Sequence, residues 1–153
     1  MDAVTAIPPI ENEPNRLYEP GSPQRVSLQA CLAQLGTQGP IDLPMCIDGQ
    51  WTMGSGSRIK VVQPHAHKHT LGTKKNATRK DAAAAVEAAK KAAVGWRAMS
   101  FDDRAAIFLK AADLLAGPWR DTLNAATMLG QSKTAFQAEI DAACELIDFW
   151  RFN

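Results

Sequence analysis

Apolar residues in the last thirty positions follow helical stripes. Phe136, Ile140, Ala143, Ile147 and Trp150 recur at intervals of four, three, four and three, which is one face of a helix. This helix is expected to begin near Ser132, and no Gly or Pro closes it before Asn153. Phe149, Trp150 and Phe152 spread aromatic rings around much of its circumference. It is therefore expected to belong to the front part of a larger protein, with a continuation to pack against, and to associate when that cover is lacking.

The same pattern, read upstream, places the other elements. Met1 to Gly21, rich in Pro and acidic residues, is expected to be an extended arm. Ser22-Pro23 starts a helix, with Ser as N-cap and Pro pre-set for the first turn. Leu28, Leu32 and Leu35 give that helix one face and Gly36 its end. PMCIDGQWTM reads as two short strands around the Asp48-Gly49 turn. RIKVVQP is a third strand stopped by Pro64, and a fourth extended piece runs through Thr70 and Leu71. Thr78 and Asp81 form a capping-box pattern that opens an Ala-rich helix reaching about Trp96. Ser100 and Asp103 open a further helix with Ile107, Phe108, Ala111, Leu114 and Leu115 inward, ended by Gly117-Pro118. Trp119 to Leu129 is the next helix, stopped at Gly130. The predicted fold is mainly helical with a small β-hairpin region, no βαβ unit and no complete Rossmann sheet.

Composition narrows the classes. With 153 residues, 46% hydrophobic and 22% charged, the chain is globular in character. A formal net charge of +1 gives no reason to expect a nucleic-acid or anionic-membrane surface. No apolar run approaches the roughly 20 residues that span a bilayer. Cys31, Cys46 and Cys144 are an odd, scattered set, which fits reduced thiols better than a disulfide framework. The arm carries Asp2, Glu11 and Glu13 and no Lys or Arg before Arg16, so no leader peptide is expected.

Four places could carry chemistry. His65, His67 and His69 alternate and could face one side of a strand, as zinc or copper ligands would. A strand spreads such residues widely and no carboxylate or Cys is near, so a polar strand end or loop is the preferred reading and no metal ligand is assigned. GQSKT at 130–134 lacks the Gly-Lys-Ser/Thr order of a phosphate loop and follows a helix; it reads as a helix-to-helix turn. Cys144 lies mid-helix beside Glu145 with nothing to depress its pKa, which makes it a packed thiol. Glu139 falls on the edge of the apolar stripe beside Leu146 and Trp150 when the helix is turned at about 100° per residue. It either favours the helix dipole and meets water or faces a ligand. No catalytic constellation and no dinucleotide motif is found.

RAAIFLKAADLLAGPWRDTLNAATMLGQSKTAFQAEIDAACELIDFWRFN resembles the early helices of the 1-pyrroline-5-carboxylate dehydrogenase branch of the aldehyde dehydrogenase superfamily, and NEP at 12–14, PGSPQR at 20–25 and HAHKHTLG at 65–72 agree with it. The resemblance implies an α/β parent fold in which residues 1–21 are the arm and 22–153 an incomplete N-terminal part of the NAD-binding domain. It implies oxidation of L-glutamate γ-semialdehyde to L-glutamate in proline degradation, with NAD as cofactor. The implied partners are the remainder of the dehydrogenase chain and further copies in a homo-oligomer, with no nucleic acid and no membrane. The implied location is the cytoplasm, ahead of the mitochondrial matrix. None of the family's catalytic or cofactor-binding residues has a counterpart here, so the isolated chain is expected to be inactive. By the same resemblance Glu139 borders the aldehyde entrance and would meet the substrate's α-ammonium group. The rival expectation is a free-standing helical protein-interaction module.

Overall fold

The computed structural model describes residues 9–153. In chain order it contains α1 (Pro23–Thr37), β1 (Ile41–Asp42), β2 (Met45–Ile47), β3 (Gln50–Thr52), β4 (Arg58–Gln63), β5 (Ala66–Lys75), α2 (Arg79–Ala98), α3 (Phe101–Ala116), α4 (Arg120–Gln131), α5 (Ala135–Ala138), a π-helical stretch Glu139–Cys144 and α6 (Glu145–Phe152). Two compact units result: the chain through Gln38 together with Ser100–Asn153, and Gly39–Met99. Residues 9–21 carry no helix or strand and pack with the late helices; the first eight lie outside the described residues. Among the described residues there is no βαβ unit and no helix long and apolar enough to cross a membrane.

In the 39–99 unit, β2 and β3 form the hairpin that Asp48-Gly49 predicts, with φ of 51° and 73° at the turn, both in the left-handed region of a type I′ turn. β4 and β5 pair antiparallel across Pro64-His65, so the fourth extended piece is a full ten-residue strand. Too short to show a pattern, β1 is absent from the sequence reading. It adds in parallel to β5, with Ile41 opposite Gly72, completing the order β1-β5-β4. Gly72 permits this approach: a Cβ there would lie 2.7 Å from the Ile41 carbonyl oxygen. Thr78 caps α2 in a full capping box with Asp81. The Asp81 carboxylate also accepts from the Ser55 amide at 3.0 Å and hydroxyl at 2.7 Å, fastening the Gly54–Ser57 loop to the helix start. These hydrogen bonds, the Thr78 amide first, hold the Asp81 carboxyl well below its ordinary range.

In the other unit, Ser22 caps α1, and Leu28, Leu32 and Leu35 meet Tyr18, Ala125 and Met128. A second cluster joins Ala112 and Leu115 of α3 to Ala143 and Ile147. That contact follows one narrow line of α3, so the broader inward face expected there is corrected. Ile107, Phe108 and Leu114 are exposed, and Phe101 with them. α4 runs through Gly130 and stops at Ser132, whose φ of 58° supplies the left-handed end expected of the glycine. Thr134 then caps α5 in a capping box with Gln137, a Thr-x-x-Gln signature. The last helix is not uniformly α-helical. Across Glu139–Cys144 it widens to π-helix, the Glu145 amide reaching back to the Ile140 carbonyl. Phe149 and Phe152 stay exposed at its end, as the aromatic pattern suggests, whereas Ile147 is fully buried.

Gly72→Ala should detach β1 from β5 while leaving the β4–β5 hairpin intact. Amide exchange checks this: the Leu43 amide, which donates to the Thr73 carbonyl at 2.8 Å, should lose protection, and Val61 should keep it.

Candidate functional site

Polar residues on α4 repeat at helical spacing. Arg120, Asn124 and Thr127 are all buried and share one face. That face meets the π-helical stretch and the arm. Arg120 is 1% exposed and Glu139 is 0% exposed, so a complete ion pair lies inside the unit. Arg120 Nη2 donates to Glu139 Oε1, and Arg120 Nε to Oε2 at 3.3 Å. Asn124 Nδ2 donates to Oε2 at 2.8 Å, the Tyr18 hydroxyl to the same oxygen at 2.7 Å, and the Arg16 amide to Oε1 at 2.7 Å. Arg120 continues outward, with Nη1 on Glu13 Oε1 and Nη2 on the Pro14 carbonyl at 2.8 Å. Glu13 is held from its other side by Arg151 at 2.8 Å.

The electrostatics follow from these donors. Burial alone would raise the Glu139 pKa, but the Arg120 guanidinium, the Arg16 amide and the Tyr18 hydroxyl outweigh it and hold the carboxyl at about 2. Burial opposes the Arg120 charge in the same way, and the Glu139 and Glu13 carboxylates reverse this and push its pKa up. The Tyr18 hydroxyl is raised by its burial and by the Glu139 charge. The Cys144 thiol, 3.8 Å from Glu139 Oε1, is pushed up to about 11 by burial and by that carboxylate.

Glu139 therefore sits elsewhere than expected, and the reason is geometric. The 100° turn per residue fails across a π-helical stretch, and the arm closes over what would have been the exposed side. This carboxylate is 0% exposed, and its two oxygens accept five hydrogen bonds from N–H and O–H groups of the chain itself. In this chain Glu139 is a buried anchor. Cys144 is the packed thiol expected, with a raised rather than lowered pKa. His65 occupies the hairpin turn while His67 and His69 lie in β5, and no metal-competent cluster of His, Cys, Asp and Glu exists among the described residues. Lys133 pairs with Asp141 at 2.7 Å in the turn between helices. Arg120, Asn124, Tyr18 and Glu13 were missed. The i, i+4, i+7 polar stripe on α4 was the available signal, hidden because polar stripes ordinarily mark a solvated face.

Beside this anchor an open apolar cavity of about 470 Å³ is lined chiefly by Leu114, Leu115, Trp119, Leu123, Leu146 and Trp150. Its lining carries no titratable group and suits an apolar side chain or helix face.

The aldehyde dehydrogenase family matches residues 51–153, and the chain belongs to that family. Within it, the chain is 48% identical over 151 residues to delta-1-pyrroline-5-carboxylate dehydrogenase of Agaricus bisporus, covering 99% of this chain and 28% of that one. It is 42% identical over 144 residues to the human mitochondrial delta-1-pyrroline-5-carboxylate dehydrogenase, covering 94% of this chain and 25% of the relative. The solved structure of the Mycobacterium tuberculosis enzyme bound with NAD superposes with a TM-score of 0.94 at 62% identity, over 99% of this chain and 28% of that one. The chain thus spans about a quarter of the length of the relatives it matches, and corresponds to their N-terminal part.

Removing one partner of a buried pair leaves an uncompensated charge and costs about 3–5 kcal/mol. Glu139→Ala should lower the unfolding free energy of the chain by that amount in urea titrations at pH 7, and adding Arg120→Met should cost less than the sum of the two. Folding lowers the Glu139 pKa from 4.5 to about 2, so its contribution is complete above pH 4.5 and is lost as the pH falls towards 2. Between those pH values the wild type should lose stability more steeply than Glu139→Gln.

Proposed function

We propose that the chain is the N-terminal portion of an NAD-dependent dehydrogenase that oxidises L-glutamate γ-semialdehyde, the open form of 1-pyrroline-5-carboxylate, to L-glutamate in proline degradation. The observation that carries this reading is the match, at 62% identity and a TM-score of 0.94 over 99% of the chain, to an enzyme of that name bound with NAD. The overall change takes an aldehyde to a carboxylic acid, with water supplying the second oxygen and two electrons leaving as hydride. The resemblance further carries the expectation of a cytoplasmic homo-oligomer.

The residues in hand do not fit NAD themselves. Dinucleotides sit at the carboxyl ends of parallel strands that are followed by helices. Here the parallel pairing between β1 and β5 is two residues long, and it has no crossover helix. The Glu139 carboxylate is fully engaged and the Cys144 thiol stays protonated at neutral pH, so neither is assigned as a general base or a nucleophile. Its part in the proposed enzyme is to hold α3, α4 and α6 as a platform. The apolar cavity beside Trp119 and Trp150 would be covered by the remainder of the dehydrogenase chain.

The chain alone should show no aldehyde-dependent NAD reduction above a no-protein control, followed as absorbance of NADH. Joined to the missing portion of a full-length relative it should turn over glutamate γ-semialdehyde; failure of a folded, soluble fusion to do so would refute the reading. In that fusion Glu139→Ala should lower kcat/KM for the amino-acid aldehyde and for propionaldehyde by similar factors. A loss confined to the charged substrate would instead place Glu139 on the substrate.

A further inference from the structure

The arm is bound as a ligand is bound. Residues 12–18 form no helix or strand, yet their polar groups are read one after another by side chains more than a hundred positions further along the chain. Asn12 Nδ2 donates to Asp148 Oδ2 at 3.0 Å and the Glu13 amide to Asp148 Oδ1 at 2.7 Å. The Glu13 carboxylate lies between the Arg120 and Arg151 guanidinium groups. The Pro14 carbonyl accepts from Arg120, and the Arg16 amide and Tyr18 hydroxyl both end on Glu139. Main-chain groups fixed by hydrogen bonds, with separate pockets for an acid and an aromatic ring, are the way extended peptides are recognised in trans.

The covalent link adds little to this geometry. Beyond Tyr18 the chain turns through a Glu19–Ser22 hydrogen bond of 3.0 Å, with exposed Gly21 at φ 78°, and enters α1. Tyr18 itself has φ 52°, a conformation that costs a non-glycine residue energy and that the pocket must hold in place. We propose that the cleft between α4 and the last helix is a peptide-recognition site for the sequence Asn-Glu-Pro-Asn-Arg-Leu-Tyr, which it binds whether or not that sequence is joined to α1.

The test uses the full chain with a specific protease site placed in the Glu19–Ser22 turn and cut while folded. The freed arm should stay bound through gel filtration and then exchange for a labelled synthetic peptide of residues 9–20. A peptide carrying Glu13→Gln should bind at least tenfold more weakly, since two charge-assisted hydrogen bonds are weakened. Prompt loss of the arm on cutting, unfolding of the cut chain by circular dichroism, or equal binding of the two peptides would overturn the proposal.

Discussion

Everything in the arm-bearing unit is arranged around one buried ion pair. Arg120 and Glu139 are removed from water together, and in such surroundings neither charge is tolerable alone. The demand for partners explains why Tyr18, Asn124, the Arg16 amide and the Pro14 carbonyl converge on the same few ångströms. A buried pair is poor evidence of net stability, because well-packed apolar groups could serve as well. Its effect here is selective. The observed placement of the arm, α4 and the last helix gives both charges their partners, although Asn124 Oδ1 in the same cluster has none, and a slip along the helix would leave a charge unpaired in a low dielectric.

This constraint is also where the sequence was least legible. Caps and turns are local chemistry and could be read directly: Ser22-Pro23, Asp48-Gly49, Thr78 with Asp81 and Ser100 with Asp103 all lie where their side chains require. Helix existence was legible for the same reason. Glu139 was misplaced because a constant turn per residue cannot foresee a π-helical stretch, and because its partners come from residues 16, 18, 120 and 124. β1 was missed because two residues carry no periodicity, and its pairing depends on what Gly72 lacks. At Ser132 a left-handed serine ends the helix where the neighbouring glycine was expected to.

The family follows from whole stretches of sequence, and the proposed reaction from likeness to members of that family; the buried site explains neither directly. Its value is to separate two meanings of an unusual carboxylate. A depressed pKa in a pocket can mark a catalytic group. Here the cause of the depression is a set of internal donors from the arm and α4. Cys144 shows the converse: beside a carboxylate and out of water, its thiol is quieter than a free one. Both residues do structural duty, and the exposed apolar cavity beside them is the part of the unit that looks outward.

Amide hydrogen exchange at Arg16 tests the central claim most directly. This amide lies in no helix or strand, and its acceptor is Glu139 Oε1 at 2.7 Å. In the wild type it should exchange far more slowly than an unstructured peptide. In Arg120→Lys, which cannot reproduce the forked contacts of the guanidinium, most of that protection should disappear while the interior of α3 keeps its own. Exchange of the Arg16 amide at the free-peptide rate in the wild type, or full protection retained in Arg120→Lys, would contradict the account.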